Sequence, residues 1–260
     1  MKYLKLLWRC MKIWILRDFA YKGDFFIKMF STVLSDLIMP ITSVFIYASS
    51  RGIPGWSLEQ LLLFQGTLIM VFGMSRTISY GFTWWVLDAI NWGNFDQYLL
   101  KPYSTLLFIM ALTVDHYGIA EALAGLLIVI YSMGELGISV LSFTMLMYLI
   151  FAVAGMSVIV ASQIMTAAMG FIAVKSEALM HLHSKLTDFA RYPLNVYGVG
   201  IKFFLVFLFP MAVSSYVPAQ VLIQGFTAKT LLYLVPVAVY FGLAVFLWNF
   251  AMKKYTSAGG

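Results

Sequence analysis

Residues 89–103 read AINWGNFDQYLLKPY, a short polar and aromatic stretch between two long apolar runs. Asn94 is a residue type that starts helices, and Gln97 stands three positions later, where its side chain can return a hydrogen bond. Pro102 disfavours helix at the position before it, so the helix ends there. The stretch therefore predicts a short helix held between two membrane-embedded segments.

One side of this short helix is apolar. Phe95, Tyr98 and Leu99 recur at helical spacing, whereas Asp96 and Lys101 are expected to face water. An ordinary loop at the membrane surface is the alternative, because aromatic residues gather where hydrocarbon meets water. Residues alone leave both interpretations open.

The composition sets the class of protein. Of 260 residues, 62% are hydrophobic and only 11% are charged. Several apolar runs exceed the roughly 18 residues that mark a membrane-spanning helix. A soluble domain is excluded, and we expect one all-α integral membrane domain.

The charge and the motifs exclude several functions. A net charge of +6 is compatible with nucleic-acid binding, but the basic residues do not form one soluble face, so we expect no nucleic-acid partner. The single cysteine, Cys10, cannot form an intrachain disulfide and is interpreted as a structural thiol. The sequence has no phosphate-binding loop, no HExxH metal motif and no GxSxG nucleophile motif. We therefore expect no enzyme activity, no metal site and no ATP site of its own.

Residues 1–24 form the first segment. Apolar residues recur there at helical spacing among six cationic ones, which predicts an amphipathic helix on the inner membrane surface. A cleavable signal peptide is disfavoured, because cationic residues interrupt the apolar stretch and no small-residue cleavage site follows.

Six membrane spans follow in residues 25–254, before a short tail at residues 255–260. A piece at residues 217–225 is too short to span and too apolar for a free loop, which predicts a re-entrant or interfacial helix between spans five and six. The predicted spans cover about residues 25–48, 58–87, 104–131, 140–174, 200–217 and 230–252.

The distribution of basic residues predicts the orientation. Six spans place both termini on one side, and the segments on that side hold nearly all lysines and arginines. A second polar segment, at residues 175–191, is expected on this same side, whereas the opposite loops hold only Arg51 and Lys229. By the positive-inside rule both termini and the loop at residues 93–102 are cytoplasmic.

Four ionisable residues interrupt the apolar runs. Asp36, Arg76 and the pair Asp115 and His116 each lie about ten residues from the inner end of their span, or roughly 15 Å deep at a rise of 1.5 Å per residue. Because buried charges are costly without partners, we expect a cluster of Asp36, Arg76 and Asp115. We favour a role in holding helices together over a role in lining a substrate path. Glu121 is expected to face either a neighbouring helix or a wet cavity.

Other patterns carry weaker predictions. His181 and His183 do not share a helical face, so a solvated segment is favoured over a metal site. Gly118, Ala122 and Gly125 form a stripe of small residues that permits close helix packing, either within the bundle or between permeases. Aromatic residues at positions 82, 84, 85, 203, 204, 207 and 209 are interpreted as lipid-facing in preference to a substrate path.

The loop also carries a family resemblance. The pattern Gly93-x-Phe95-Asp96-x-x-Leu99-Leu100-Lys101-Pro102, between the second and third apolar runs, resembles the cytoplasmic loop of ABC-2-type transporter permeases. Residues 189–194, FARYPL, resemble the family more weakly. In that family this loop forms a coupling helix that docks on a separate ATPase. The coupling residues implied are Gly93, Asn94, Phe95, Asp96, Gln97, Tyr98, Leu99, Leu100, Lys101 and Pro102.

The resemblance implies an assembly and a function. It implies two permeases, identical or related, carrying two ATPase subunits that supply ATP and Mg²⁺, in a membrane expected to be the prokaryotic plasma membrane. It implies export of a lipid, glycan, peptide or amphipathic drug. The alternative is an autonomous channel or ion-coupled carrier using Asp36, Arg76 and Asp115. Broken helices in paired halves are expected for that class, and the sequence shows no paired interruption.

Overall fold

The computed structural model describes residues 2–50, 52–172 and 176–256. Within these ranges the chain is helical and contains no β-strand. Arg51, Lys175 and residues 257–260, which enter the predictions above, lie outside the described ranges. The α-helices are α1 (Lys2–Ala20), α2 (Lys22–Ser49), α3 (Leu58–Asn91), α4 (Asp96–Leu99), α5 (Thr105–Leu112), α6 (Tyr117–Glu135), α7 (Phe143–Gly170), α8 (Ser176–Asp188), α9 (Val199–Phe203), α10 (Tyr216–Gln224) and α11 (Leu234–Lys254).

Five helical segments in the described ranges are long and apolar enough to cross a membrane. They are α2, α3, α6, α7 and the segment Ala228–Lys254, in which a 3-10 turn precedes α11. The all-helical, multi-span membrane architecture therefore agrees with the prediction. The count of six spans stays a prediction.

The third predicted span is not one continuous helix. It is divided into α5 and α6, and the intervening residues 113–116 leave the helical path. Asp115 explains the break, because its backbone N–H donates to Thr77 O (3.1 Å) and its Oδ1 accepts from the Tyr117 N–H (3.0 Å). These bonds to the backbone outside α5 begin the new helix.

The fifth predicted span, at about residues 200–217, is also wrong as a continuous helix. The apolar helix Val199–Leu208 is only ten residues long and ends in a π-helical turn. Pro210 follows directly, and proline has no N–H to continue the ladder. The 3-10 turn Met211–Ser214 and α10 then pack against α7, and α10 also contacts α3.

Helix α3 lies at the centre of the bundle, between α6 and α7. Its contact with α6 is backbone on backbone. A Cβ added at Gly73 would overlap the Ala122 nitrogen, and one added at Gly118 or Gly125 would overlap the backbone of α3. The small-residue stripe on α6 is therefore used within the bundle, which decides between the two alternatives left open for it.

The polar segment after α7 does not stay at one end of the molecule. Helix α8 packs back along α7, where His183 Nδ1 lies 3.2 Å from Thr166 Oγ1. Farther along, Asn195 Oδ1 accepts a hydrogen bond from the Trp56 indole at 3.0 Å, beside the first residue of α3. Residues 176–191 therefore begin at the end of the molecule that holds the loop after α3, where Phe171 packs on Phe95, and run back along α7. The side of the membrane on which they lie stays a prediction.

The amino-terminal segment forms two helices separated at Tyr21. Helix α1 contacts α5, and the Trp14 indole N–H donates to Leu112 O at 2.7 Å. The Arg17 guanidinium stacks over the Trp14 ring at 3.8 Å. Cys10 is buried, and burial raises the pKa of its thiol. These contacts attach α1 to the bundle through α5.

A candidate docking loop and a buried charge cluster

The loop after α3 is anchored by Phe95. Its side chain is fully buried, with ring centroids 4.9 Å from Phe171 and 5.3 Å from Tyr255. Phe171 follows α7 and Tyr255 follows α11. The loop therefore joins the carboxyl ends of α3, α7 and α11 in one aromatic cluster.

The expected Asn94 cap is wrong. Helix α4 begins at Asp96, its N-cap position is Phe95, and no side chain caps it. Gly93 adopts φ = +64°, a conformation that glycine reaches at little cost, and the Asn94 N–H donates to Ala89 O at 3.0 Å. The turn at Gly93 and the burial of Phe95 fix this short helix in place of a capping box.

Fewer side chains of α4 are buried than its apolar spacing predicts. Tyr98 is buried and its hydroxyl accepts a hydrogen bond from the Trp85 indole at 2.7 Å. Leu99, expected on the same side, is exposed, and Leu100 is 84% exposed. The predicted coupling residues that remain exposed, which we call the exposed edge, are Asn94, Gln97, Leu99, Leu100, Lys101 and Pro102.

The second candidate feature is the charge cluster around Arg76. The Arg76 Nε donates to Asp115 Oδ2 at 2.9 Å, and Arg76 Nη1 lies 3.8 Å from Glu121 Oε2. The guanidinium also stacks over the Tyr80 ring at 4.4 Å. Arg76 thus connects α3 with the break between α5 and α6 and with α6 itself.

Asp36 joins this cluster through Glu121. Both side chains line the same small cavity between α2, α3 and α6, and Asp36 and Arg76 both line a larger one. The His116 ring instead stacks on Phe25, with centroids 5.7 Å apart, and lies tilted against Tyr117 at 4.4 Å. The structure therefore brings three of the four predicted residues together and places His116 towards α2.

A cavity of about 600 Å³ adjoins the cluster. Its walls come from α2, α3, α6, α7 and α8, and Trp84 and Gln163 contribute to them. The charged and titratable residues in its lining are Asp36, Arg76, Tyr80, Glu121, His181, His183 and Arg191. A second cavity of about 350 Å³, on the other side of Arg76, includes Trp14, Trp85 and His116.

Sequence reasoning missed Arg191 at this site and left Glu121 undecided. A polar stretch after an apolar run is typical of a loop, so the sequence predicts a solvated segment around Arg191. The reversal of α8 along α7 brings it to Asp36 instead.

The two histidines of α8 have different surroundings. His181 is exposed, whereas His183 is partly buried against Thr166 and burial lowers its pKa to about 4. Among the residues that the structure describes, no group of three or more His, Cys, Asp or Glu side chains is arranged to hold a metal ion.

The aromatic residues divide between core and surface. Phe82 is fully buried against Trp248, with centroids 5.3 Å apart. Trp84 lines the 600 Å³ cavity, whereas Phe203 and Phe207 line an apolar groove of about 690 Å³ with Lys202 and Lys229. These residues therefore do not form one continuous path.

Comparison with known proteins adds one finding. A family model described as "ABC-2 family transporter protein" matches residues 34–259, which is most of the chain. Comparisons with curated proteins and with solved structures give no match. The matched region includes the loop after α3 and every member of the charge cluster.

Proposed function

The chain belongs to the ABC-2 family of transporters, and from that premise we propose that it is the permease of an exporter whose separate ATPase docks on the exposed edge. Members of this family are membrane subunits and not the ATPase itself. ATP and Mg²⁺ would therefore act on the partner ATPase.

The observation that carries this proposal is the shape of the loop. It presents the exposed edge outward, while Phe95 and Tyr98 fix the opposite side to the bundle. The docking set implied by the resemblance thereby divides into residues that can touch a partner and residues that transmit its motion. Since Phe95 contacts the ends of α7 and α11, a force on α4 reaches three helices directly.

The proposed mechanism is a rigid-body reorientation. Closure of two ATPase subunits displaces α4, and the bundle moves with it between two packings around a path shared by two permeases, identical or related. The concentration of basic residues in α1, in Lys101 and in Lys253 and Lys254 supports a cytoplasmic location for this end. We place the assembly in a prokaryotic plasma membrane.

The charge cluster is proposed to have a structural role in this function. Arg76 is satisfied by Asp115 and Glu121 from other parts of the chain, as an intramembrane arginine requires. It holds α3 to α6 and to the helix break. The exported substrate would then pass elsewhere, along the interface between permeases.

The test is association with the ATPase. Leu100→Glu on the exposed edge is expected to abolish co-purification of a separately encoded ATPase while the permease stays folded. Leu141→Glu is the matched control, because Leu141 is 97% exposed in the turn between α6 and α7. An undiminished complex with Leu100→Glu would contradict docking on this edge.

A second candidate function is an autonomous channel or ion-coupled carrier. The observation that favours it is the helix break at residues 113–116, directly beside the ion pair of Asp115 with Arg76. Transport by the purified chain in vesicles without nucleotide would support this function. Transport that requires the ATPase and ATP would exclude it.

A further inference from the structure

A small chamber of about 30 Å³ lies between α2, α3 and α6. Asp36, Gln65, Glu121 and Arg191 contribute the polar part of its wall. Glu121 is 5% exposed and Gln65 is 4% exposed. Neither Glu121 Oε2 nor Gln65 Oε1 has a hydrogen-bond partner among the described residues, and Arg76 Nη1 lies 3.8 Å from Glu121 Oε2, beyond hydrogen-bond distance.

The charges around the chamber are unbalanced. Asp36, Asp115 and Glu121 face one central cation, Arg76. The second cation, Arg191, lines the chamber with Asp36 and also pairs through its Nε with a further acid, Asp188, at 3.0 Å. Because uncompensated buried charge is costly, some of this negative charge must be neutralised.

Asp36 and Glu121 line one small chamber, so neutralisation is expected at this pair of carboxyl groups. When two carboxylates share a site, ionisation of one opposes ionisation of the other, so one of them retains a proton. A protonated carboxyl is also a donor, whereas an ionised one only accepts. A single proton on Glu121 therefore removes one excess charge and supplies a donor for Asp36 or for Gln65 Oε1.

We propose that Asp36 and Glu121 together form a binding site for one exchangeable proton, which reaches it through the 600 Å³ cavity. The proton is shared between α2 and α6 and comes from water in that cavity. The groups that face the pair are Arg76 and Tyr80 from α3, Asp115 from the helix break, and His181, His183 and Arg191 from the chain after α7. This inference does not depend on an ATPase.

The site bears on how α2 is held. Helix α2 buries little of its length against the rest of the chain, and its contacts are with α1, α3 and α6. Loss of the proton leaves two like charges in one chamber at the α2 and α6 interface. Binding of the proton therefore favours the packing seen here, and its release favours separation of α2.

The test is infrared difference spectroscopy of the purified permease, without nucleotide, at neutral pH and after a jump to alkaline pH. Wild type is expected to show the carbonyl stretch of one protonated carboxylic acid that disappears at alkaline pH. Glu121→Gln and Asp36→Asn are each expected to abolish that band, because either change leaves no pair to share the proton. Glu135→Gln, an exposed acid at the end of α6, is the matched control and keeps it.

Several outcomes would overturn the proposal. One is the absence of a protonated band in folded wild type at neutral pH, and another is its survival in both pair variants. A third is loss of the band when sodium chloride replaces choline chloride at constant pH, which would identify the ligand as sodium. Because Glu121→Gln retains a donor for Asp36, it is expected to fold, and Asp36→Asn provides an independent variant if it does not. A failed ATPase co-purification leaves this result unaffected.

Discussion

Phe95 allows the two sides of the docking loop to be separated experimentally. Phe95→Ala removes a fully buried ring that contacts Phe171, Tyr255 and Tyr98. Replacing a buried phenylalanine by alanine costs about 3–5 kcal/mol through lost burial and the cavity left behind. Since the loop can collapse partly into that space, we expect the lower end, about 3 kcal/mol.

The assay is unfolding of the purified permease by a denaturing detergent, followed by tryptophan fluorescence. Phe95→Leu retains most of the apolar volume and should cost about 1 kcal/mol. Leu100→Ala, on the exposed edge, should change the free energy of unfolding by less than about 0.5 kcal/mol. If Phe95→Ala unfolds like wild type yet no longer binds the ATPase, Phe95 faces the partner and the argument from burial is refuted.

Three further predictions concern the bundle. Arg76→Ala leaves Asp115 and Glu121 without their cation and is expected to lower the free energy of unfolding by about 3 kcal/mol in the same assay. Arg76→Lys retains the charge and should cost less. Normal folding, assembly and transport by Arg76→Ala would remove any role for the cluster. Gly118→Ala places a methyl group into the α3 backbone and should lower the free energy of unfolding by about 1–3 kcal/mol or more. The control Gly134→Ala meets nothing within 4 Å and should be neutral. Equal effects of the two substitutions would contradict the close packing of α3 on α6. Burial lowers the pKa of His183 from its ordinary 6.5 to about 4. Above pH 6.5 the imidazole is neutral in both the folded and the unfolded protein, so it does not affect stability. As pH falls from 6.5 towards 4 the unfolded protein binds the proton more readily, and the folded protein loses stability. Stability measured across that range should fall less steeply for His183→Gln, and an unchanged slope would place the acid sensitivity elsewhere.

Several features of the fold follow from the sequence because they depend on local composition. Hydropathy finds the long apolar helices, and the fixed rise of a helix places Asp36, Arg76 and Asp115 at similar depth before any contact is known. The break between α5 and α6 stays hidden, since residues on both sides of it are equally apolar. Only the backbone bonds of Asp115 reveal it.

Features that depend on distant contacts were not predictable in this way. Phe95 is buried by Phe171 and Tyr255, which are remote in sequence, so its spacing in α4 cannot distinguish an inner from an outer face. Arg191 has the composition of a loop and the position of a cavity wall. Its exposed side chain gives no local sign that Asp36, on a distant helix, lines the same cavity.

The backbone contact between α3 and α6 limits what can change while the protein works. Where two helices touch without intervening side chains, no rotamer can adjust and neither helix can slide independently. Arg76 on α3 and Glu121 on α6 should therefore keep a constant separation through every conformation. Asp36, carried by the sparsely packed α2, is the one acid of the cluster that can change its neighbours, so spectroscopic distance probes should report motion at Asp36 and none between Arg76 and Glu121.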